Sequence, residues 1–410
     1  PEGKVHWLTP RGKRRKYDRD KVLELDTVSN RLAGWLAART PRASLDEEWA
    51  LVELAVDAEL DAMARAQALH LLSRDPSNRR AHEFLGHEER DGKWLWRFGD
   101  ERKLLRFKDW EERGRDTGHP HVFEGEHFVL YTTADMGRAI DLLFDLERAY
   151  HEFHLEFRGV GSLRPRELVQ RRLSVWVHRD LEDFPKLTGA AQGYYLPGLA
   201  LVPGVETPFS GDGNEVQTYY EGTGTHPKDF FKLIAQALLY NCVLADAALV
   251  WDSSEWGLYR ENASMEIGFG NWFGAQFRGL PGYVSRRTFT LEPQDAALAR
   301  ATRDLHVTVR RRNGLPNLIG LNYEFFHRNE PEIRDVLSAR AHAFVAFLMD
   351  PRTTLPEGRK EGQFARNAFI EYLRDVYLAG SGASSSKFDE ALGTKIEDLE
   401  EPFAEWLEKF

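Results

Sequence analysis

Fourteen histidines, one cysteine and 65 acidic side chains are what this 410-residue chain offers for chemistry. His82-Glu83-Phe84-Leu85-Gly86-His87 has the composition of a zinc-binding helix without its spacing. Ligands four apart on a helix lie about 40° apart around the axis, whereas ligands five apart lie about 140° apart. Gly86 also marks a helix end, so no chelating pair is expected there. His151-Glu152-Phe153-His154 sets two histidines three apart on one face, with no third donor identifiable in the sequence. His119-Pro120-His121 falls in a polar stretch and reads as an exposed turn. Cys242 is the only thiol, which excludes an intramolecular disulfide and cysteine-rich zinc sites. Its apolar neighbours point to an inert buried group. No Gly-x-Ser-x-Gly elbow is present. Gly222-Thr223-Gly224 lacks the rest of a phosphate loop. The carboxylates are plentiful, but sequence alone does not pair them into an acid–base couple.

Composition narrows the classes of function. Apolar residues make up 42% and charged residues 29%, as in ordinary globular proteins. The longest apolar run, near 233–239, is far short of the ~20 residues of a membrane span, so none is expected. The formal net charge of −10 argues against a general nucleic-acid binder. Arg11-Gly12-Lys13-Arg14-Arg15-Lys16 and Arg310-Arg311-Arg312 are read as solvated surface. The chain starts at Pro1 rather than Met. A removed N-terminal segment is therefore expected, a cleaved export signal being one source, with a periplasmic or extracellular home as the corresponding expectation.

The elements that must position any site form two regions. Residues 1–125 read as a mainly helical region with a short strand segment. Residues 1–20 are expected to be a loose arm. Leu23, Leu25, Val28, Leu32, Trp35 and Leu36 recur at helical spacing. Ser44-Leu45-Asp46-Glu47 is a capping box. A further helix stops at Asp75-Pro76, a short one runs from Asn78 to Leu85-Gly86, and Asp91-Gly92 turns into a strand at 93–96. Residues 126–410 change texture. Strands are expected at 127–132, 172–178 and 216–220, with a strand–turn–strand from Gly193 to Val202 and a long helix from Met136 to Phe157. After Pro227 the chain reads as nearly all helical, apart from a Gly- and Ser-rich loop at 380–387. The fold class is α+β: a helical N-terminal region, then a domain with a small mixed sheet and a helical C-terminal half.

The order of segments in the second region resembles the bacterial peptidase-MA-like domains, gluzincins of the thermolysin-like zincin type. His127-Phe128-Val129-Leu130-Tyr131-Thr132-Thr133 resembles their opening strand, and Leu146-Glu147-Arg148-Ala149-Tyr150-His151-Glu152-Phe153 their long helix. Gly193–Pro197 resembles the following hairpin. Ala339–Met349, Phe388–Leu392 and Leu399–Trp406 resemble closing segments, and Arg80–Trp94 a leader that often precedes such domains. The resemblance covers about 280 residues and rests on this order rather than on one decisive motif.

The resemblance implies a zincin-like fold with two active-site helices. The first would carry His-Glu-x-x-His and the second a third zinc ligand, a glutamate. In this chain residues 231–242 match the first helix, but Ala235, Gln236 and Leu239 stand at the three key positions, with Ala237 and Leu238 between them. Alanine and leucine offer no donor to zinc, and glutamine carries no titratable carboxylate. The second helix is expected from Glu255 to Phe273, with Glu261 as a remnant third ligand, or Arg260 in its place after a one-residue shift. The expected cofactor set is therefore empty, although the family implies zinc. The leading expectation is an inactive metallopeptidase relative that binds a peptide or protein or plays a structural part. Tyr194, Tyr195, Trp251, Trp256 and Trp272 are the candidates for lining a cleft, with ordinary core aromatics as the competing reading. Two alternatives stay open: an active zinc peptidase with other ligands, His226 being one candidate, and a hydrolase built on carboxylates.

Overall fold

The N-terminus forms an antiparallel pair, Lys4–Leu8 (β1) and Arg14–Asp18 (β2), with Val5 opposite Tyr17 and Trp7 opposite Arg15. This corrects the expectation of a loose arm: Lys4-Val5-His6-Trp7 carries a short period-two pattern, while the charged β2 sequence has none and is a strand through its pairing with β1. The computed structural model describes residues 4–8, 14–18, 28–98, 104–157, 172–184, 194–196, 215–227, 229–239, 263–287, 291–300, 314–321, 331–353, 365–378 and 385–410.

Four helices follow: Val28–Ala38 (α1), Leu45–Asp57 (α2), Asp61–Arg74 (α3) and Arg79–Leu85 (α4). The capping box forms as the sequence dictates. The Ser44 hydroxyl accepts from Glu47 N–H, and the Glu47 carboxylate accepts from Ser44 N–H at 2.7 Å. Asn78 caps α4, which ends at Gly86 in the left-handed conformation (φ 73°). Asp91 and Gly92, at φ 52° and 69°, make the hairpin turn between Glu88–Arg90 (β3) and Lys93–Arg97 (β4). Leu104–Arg106 (β5) completes a three-stranded antiparallel sheet, and Phe107–Gly114 (α5) packs on it.

The main sheet has five strands: His121–Glu124 (β6), Phe128–Thr132 (β7), Leu173–His178 (β8), Tyr194–Leu196 (β9) and Glu215–Tyr219 (β10). Their order is β6-β7-β8-β10-β9. The three central strands are parallel, and both edge strands run antiparallel to their neighbours. The parallel step from β7 to β8 is made through Met136–Phe157 (α6), because adjacent parallel strands need a long crossover. Phe128, Leu130, Leu173, Val175 and Val177 alternate into the core, while Tyr131 and Trp176 stack 4.7 Å apart on the other face. β6 was not expected. His121 is buried rather than exposed, its ring 4.0 Å from that of Trp110. The Trp110 cluster supplies an aromatic surface that outweighs the local polarity of the 119–121 stretch.

The helical half holds Phe230–Leu238 (α7), Ala263–Ala275 (α8), Pro293–Arg300 (α9), Leu315–Ile319 (α10), Pro331–Met349 (α11), Ala365–Leu378 (α12), Ser385–Leu392 (α13) and Glu400–Leu407 (α14). A small hairpin, Phe277–Arg278 (β11) with Ser285–Arg286 (β12), interrupts it. Pro227 does not open α7. It forms a bridge with Tyr220, and Asp229 at φ 50° turns the chain before Phe230. α13 begins inside the stretch expected to be a loop. One continuous apolar core links Trp35 and Leu71 to Phe144, Phe153, Phe269, Phe344 and Phe403. It thereby joins the N-terminal helices to both halves of the second region.

Candidate functional site

α7 is apolar on nearly every side, and a helix of that kind is stable only when surrounded. Ala235, Ala237, Leu238 and Leu239 are all buried, and Gln236 is 8% exposed. Residues four apart share a helix face, so the face that would hold paired ligands carries a methyl and an isobutyl group. α8 then closes against α7 at backbone distance. A Cβ on Gly270 would fall 2.9 Å from both the Lys232 carbonyl oxygen and Gln236 Cγ, and one on Gly274 would fall 2.8 Å from Lys232 N. Gly268, on another face, approaches the Ala341 carbonyl of α11 in the same way. Small residues every fourth position allow this contact, and the seam they make leaves Gln236 Cγ packed on glycine. The residues here do not fit a zinc ion: two of the three positions that the resemblance implies as ligands lack a donor atom, and the helices are in contact.

The other expected site residues are not gathered into one place. Trp272 is buried among Phe269 and the Arg286 guanidinium, at 5.7 Å and 5.5 Å, as a core aromatic rather than a cleft wall. Tyr194 and Tyr195 lie on β9, at the sheet edge. Trp251, Trp256, Arg260, Glu261 and Cys242 lie outside the described residues. His226 is committed elsewhere, its Nε2 lying 3.0 Å from Asp145 Oδ2. Among the described residues no group of three or more His, Cys, Asp or Glu side chains is placed to hold a metal.

The His82/His87 motif resolves into a hydrogen-bonded pair. His82 Nε2–H donates to the Pro76 carbonyl at 2.9 Å, which leaves His82 Nδ1 to accept from His87 Nδ1–H at 2.8 Å. Both rings are neutral in this arrangement. His82 stacks on Trp94, and the His87 ring lies tilted with its centre 4.4 Å from that of Trp96. Burial, with His82 alongside, lowers the His87 pKa to about 4. Burial does the same to His121, also to about 4, and lowers His154 on α6 to about 3.

The densest polar chemistry lies where no motif announced it, between α2, α3, α6, the end of α1 and the turn after β11. Glu48 is almost fully buried and accepts from Gln67 Nε2 at 3.1 Å, His70 Nδ1 at 2.7 Å and Arg74. His70 Nε2 faces Asp141 Oδ1 at 3.3 Å. Asp145, one turn further along α6 and fully buried, takes Gly282 N–H at 2.7 Å together with His226. The Arg39 guanidinium lies 3.7 Å from the Phe144 ring centre and 4.7 Å from that of Tyr283, and donates to the Gly282 carbonyl at 2.6 Å. The signal for this cluster was present as polar residues on buried stripes. Gln67 and His70 stand among Met63, Ala64, Leu71 and Leu72, and Asp141 and Asp145 among Leu142, Leu143 and Leu146. What sequence could not supply was which stripe met which.

No protein-family model matches this chain, and no characterised protein matches it in sequence.

Proposed function

We propose that this chain is a non-catalytic relative of the gluzincin peptidases that holds an extended peptide or protein segment. The observation that carries the reading is the seam of α7 and α8. At the positions where the resemblance implies zinc ligands and a general base, Ala235 and Leu239 are buried and Gln236 packs against Gly270. Burying apolar side chains stabilises by ~1.5–3 kcal/mol each, so such a seam trades a reactive site for packing. The layout of a mixed sheet with antiparallel edges, followed by a buried helix, supports the family part of the reading. β9 supports the binding part. It is a sheet edge that packs near α7, and among the described residues no strand pairs with its outer side. A peptide added there would gain backbone hydrogen bonds.

The test combines metal content with turnover. Protein supplied with zinc and then desalted is expected to retain far less than one zinc per chain and to leave an unfolded protein substrate uncut. Labelled unstructured peptides are expected to bind it, and insertion of Pro at Tyr195 to weaken that binding. Stoichiometric zinc with chelator-sensitive cleavage would overturn the proposal. Among the alternatives, the carboxylate hydrolase gains one specific observation, the acids Glu48 and Asp141 on either side of His70. Glu48 is already occupied by Gln67, His70 and Arg74, which leaves it suited to holding structure rather than moving protons.

A further inference from the structure

The imidazole of His70 stands between two carboxylates. Glu48 Oε2 is 2.7 Å from Nδ1 and Asp141 Oδ1 is 3.3 Å from Nε2. A neutral imidazole has one N–H and one lone pair, whereas an ionised carboxylate can only accept. Glu48 takes the hydrogen bond, and Asp141 Oδ1 lies at ion-pair distance. A neutral His70 would therefore turn a lone pair toward one of the two acids, whereas the imidazolium sets positive charge beside both. The two acids belong to different regions: Glu48 sits on α2 beside α3, and Asp141 on α6. His70 is thus a charged bolt through the seam between the N-terminal helices and the second region.

We propose that His70 is a pH-sensitive latch, closed as the imidazolium and loosened when it gives up its proton as pH rises. The groups that face it give the charge balance. α1 contributes Arg39, α2 Glu48, α3 Gln67 and Arg74, α6 Asp141 and Asp145, and the turn after β11 Tyr283, with His226 bound to Asp145. The Arg39, Arg74 and His70 cations thus stand among the carboxyl groups of Glu48, Asp141 and Asp145. Loss of the His70 proton removes positive charge from the seam, beside Phe144, whose ring centre is 5.9 Å away. Burial alone would lower the pKa of His70, but the carboxylates of Asp141 and Glu48 beside it outweigh burial, so the pKa is raised above its ordinary value. Stability supplied by the latch is complete below the ordinary histidine value and falls away as pH climbs through the folded one. The latch also reaches the hairpin of β11 and β12, since Arg39, which lies 3.9 Å from Asp141, holds the Gly282 carbonyl.

The experiment uses the full chain. Backbone hydrogen exchange, corrected for the intrinsic rate at each pH, is followed from pH 6 to pH 9 in α3, the 279–284 turn and, as a reference, α11. In parallel the ring nitrogens of ¹⁵N-histidine-labelled protein are titrated. His70 is expected to remain doubly protonated to a higher pH than histidine in an unstructured peptide. Exchange in α3 and the turn is expected to rise by up to about tenfold per pH unit between the ordinary histidine value and the titration point of His70, and to level off above it, with α11 unchanged. Asp141→Asn, which removes the second carboxylate, is expected to bring the His70 titration down toward that of the unstructured peptide. His70→Gln is expected to abolish the pH dependence of exchange. Titration of wild-type His70 together with or below the peptide histidine, or exchange equally dependent on pH in α11, would overturn the proposal. The wild-type titration decides the matter even if His70→Gln does not fold.

Discussion

Two buried regions of this molecule have opposite histories of expectation. The seam of α7 and α8 is where family resemblance places acid–base and metal chemistry, and it is filled with methyl groups and glycines in backbone contact. The seam of α2, α3 and α6 was marked by no motif at these positions, and it concentrates His70, Glu48, Asp141, Asp145, Arg39 and Arg74. The difference shows how a fold handles buried polarity. A buried polar group is costly without partners, and Glu48 and Asp145 here each have several. Where partners are missing, the stable solution is hydrocarbon and close packing. Titratable residues here mark a junction between chain segments distant in sequence.

The comparison is broken most strongly at Asp145. Asp145→Ala leaves the Gly282 N–H and His226 without their acceptor, and is expected to destabilise by about 3–5 kcal/mol, read as a lower urea midpoint. The next effect is a pair of pH limbs of opposite sign. His121 has its pKa depressed to about 4 by burial. Its contribution is therefore present above about 6.5 and is lost as pH falls toward 4, by roughly 3 kcal/mol for this residue alone. His70 acts in the reverse sense, its contribution fading as pH rises. Stability measured by urea unfolding across pH 4–9 is thus expected to peak near neutrality. Because His87, His154 and His178 are depressed as well, His121→Phe should make the acid limb shallower without removing it and leave the alkaline limb unchanged, and a single monotonic slope would contradict this assignment.

Smaller changes sharpen the contrast at the apolar seam. Gly270→Ala gains up to about 1 kcal/mol of helix propensity. Its Cβ meets the Lys232 carbonyl at 2.9 Å, where only backbone movement gives relief. A net loss of about 1–2 kcal/mol is expected from overpacking, seen as a lower Tm. Gln236→Leu is expected to change stability by less than about 1 kcal/mol, since it keeps the volume and adds no polar group. A loss of several kcal/mol there would show that Gln236 has partners essential to the seam. These two variants should leave the pH limbs untouched, because neither removes a titratable group.

Much of the fold was legible because local rules govern it. The capping box at Ser44, the Asp75-Pro76 stop, the Asp91-Gly92 turn and α6 from Met136 to Phe157 all follow from residues within a few positions of one another. Legibility failed where distant packing overrode local texture. His121 looked exposed until Trp110 covered it, and the basic run beside β2 hid a strand. At the seam of α7 and α8, sequence already excluded metal-donor chemistry at Ala235 and Leu239, since the identity of a side chain bounds its chemistry wherever it sits.

The sequence by itself determined the α+β class, the helices and strands with strong periodicity, and the lack of donor atoms at Ala235 and Leu239. Only the tertiary structure decided that α8 would lie on α7 at glycine contact, and that a glutamate, a histidine and an aspartate from three helices would meet. Periodicity is written in neighbouring residues. The pairing of one buried face with another depends on loop paths and on the summed packing of all elements, and no short stretch of sequence contains it.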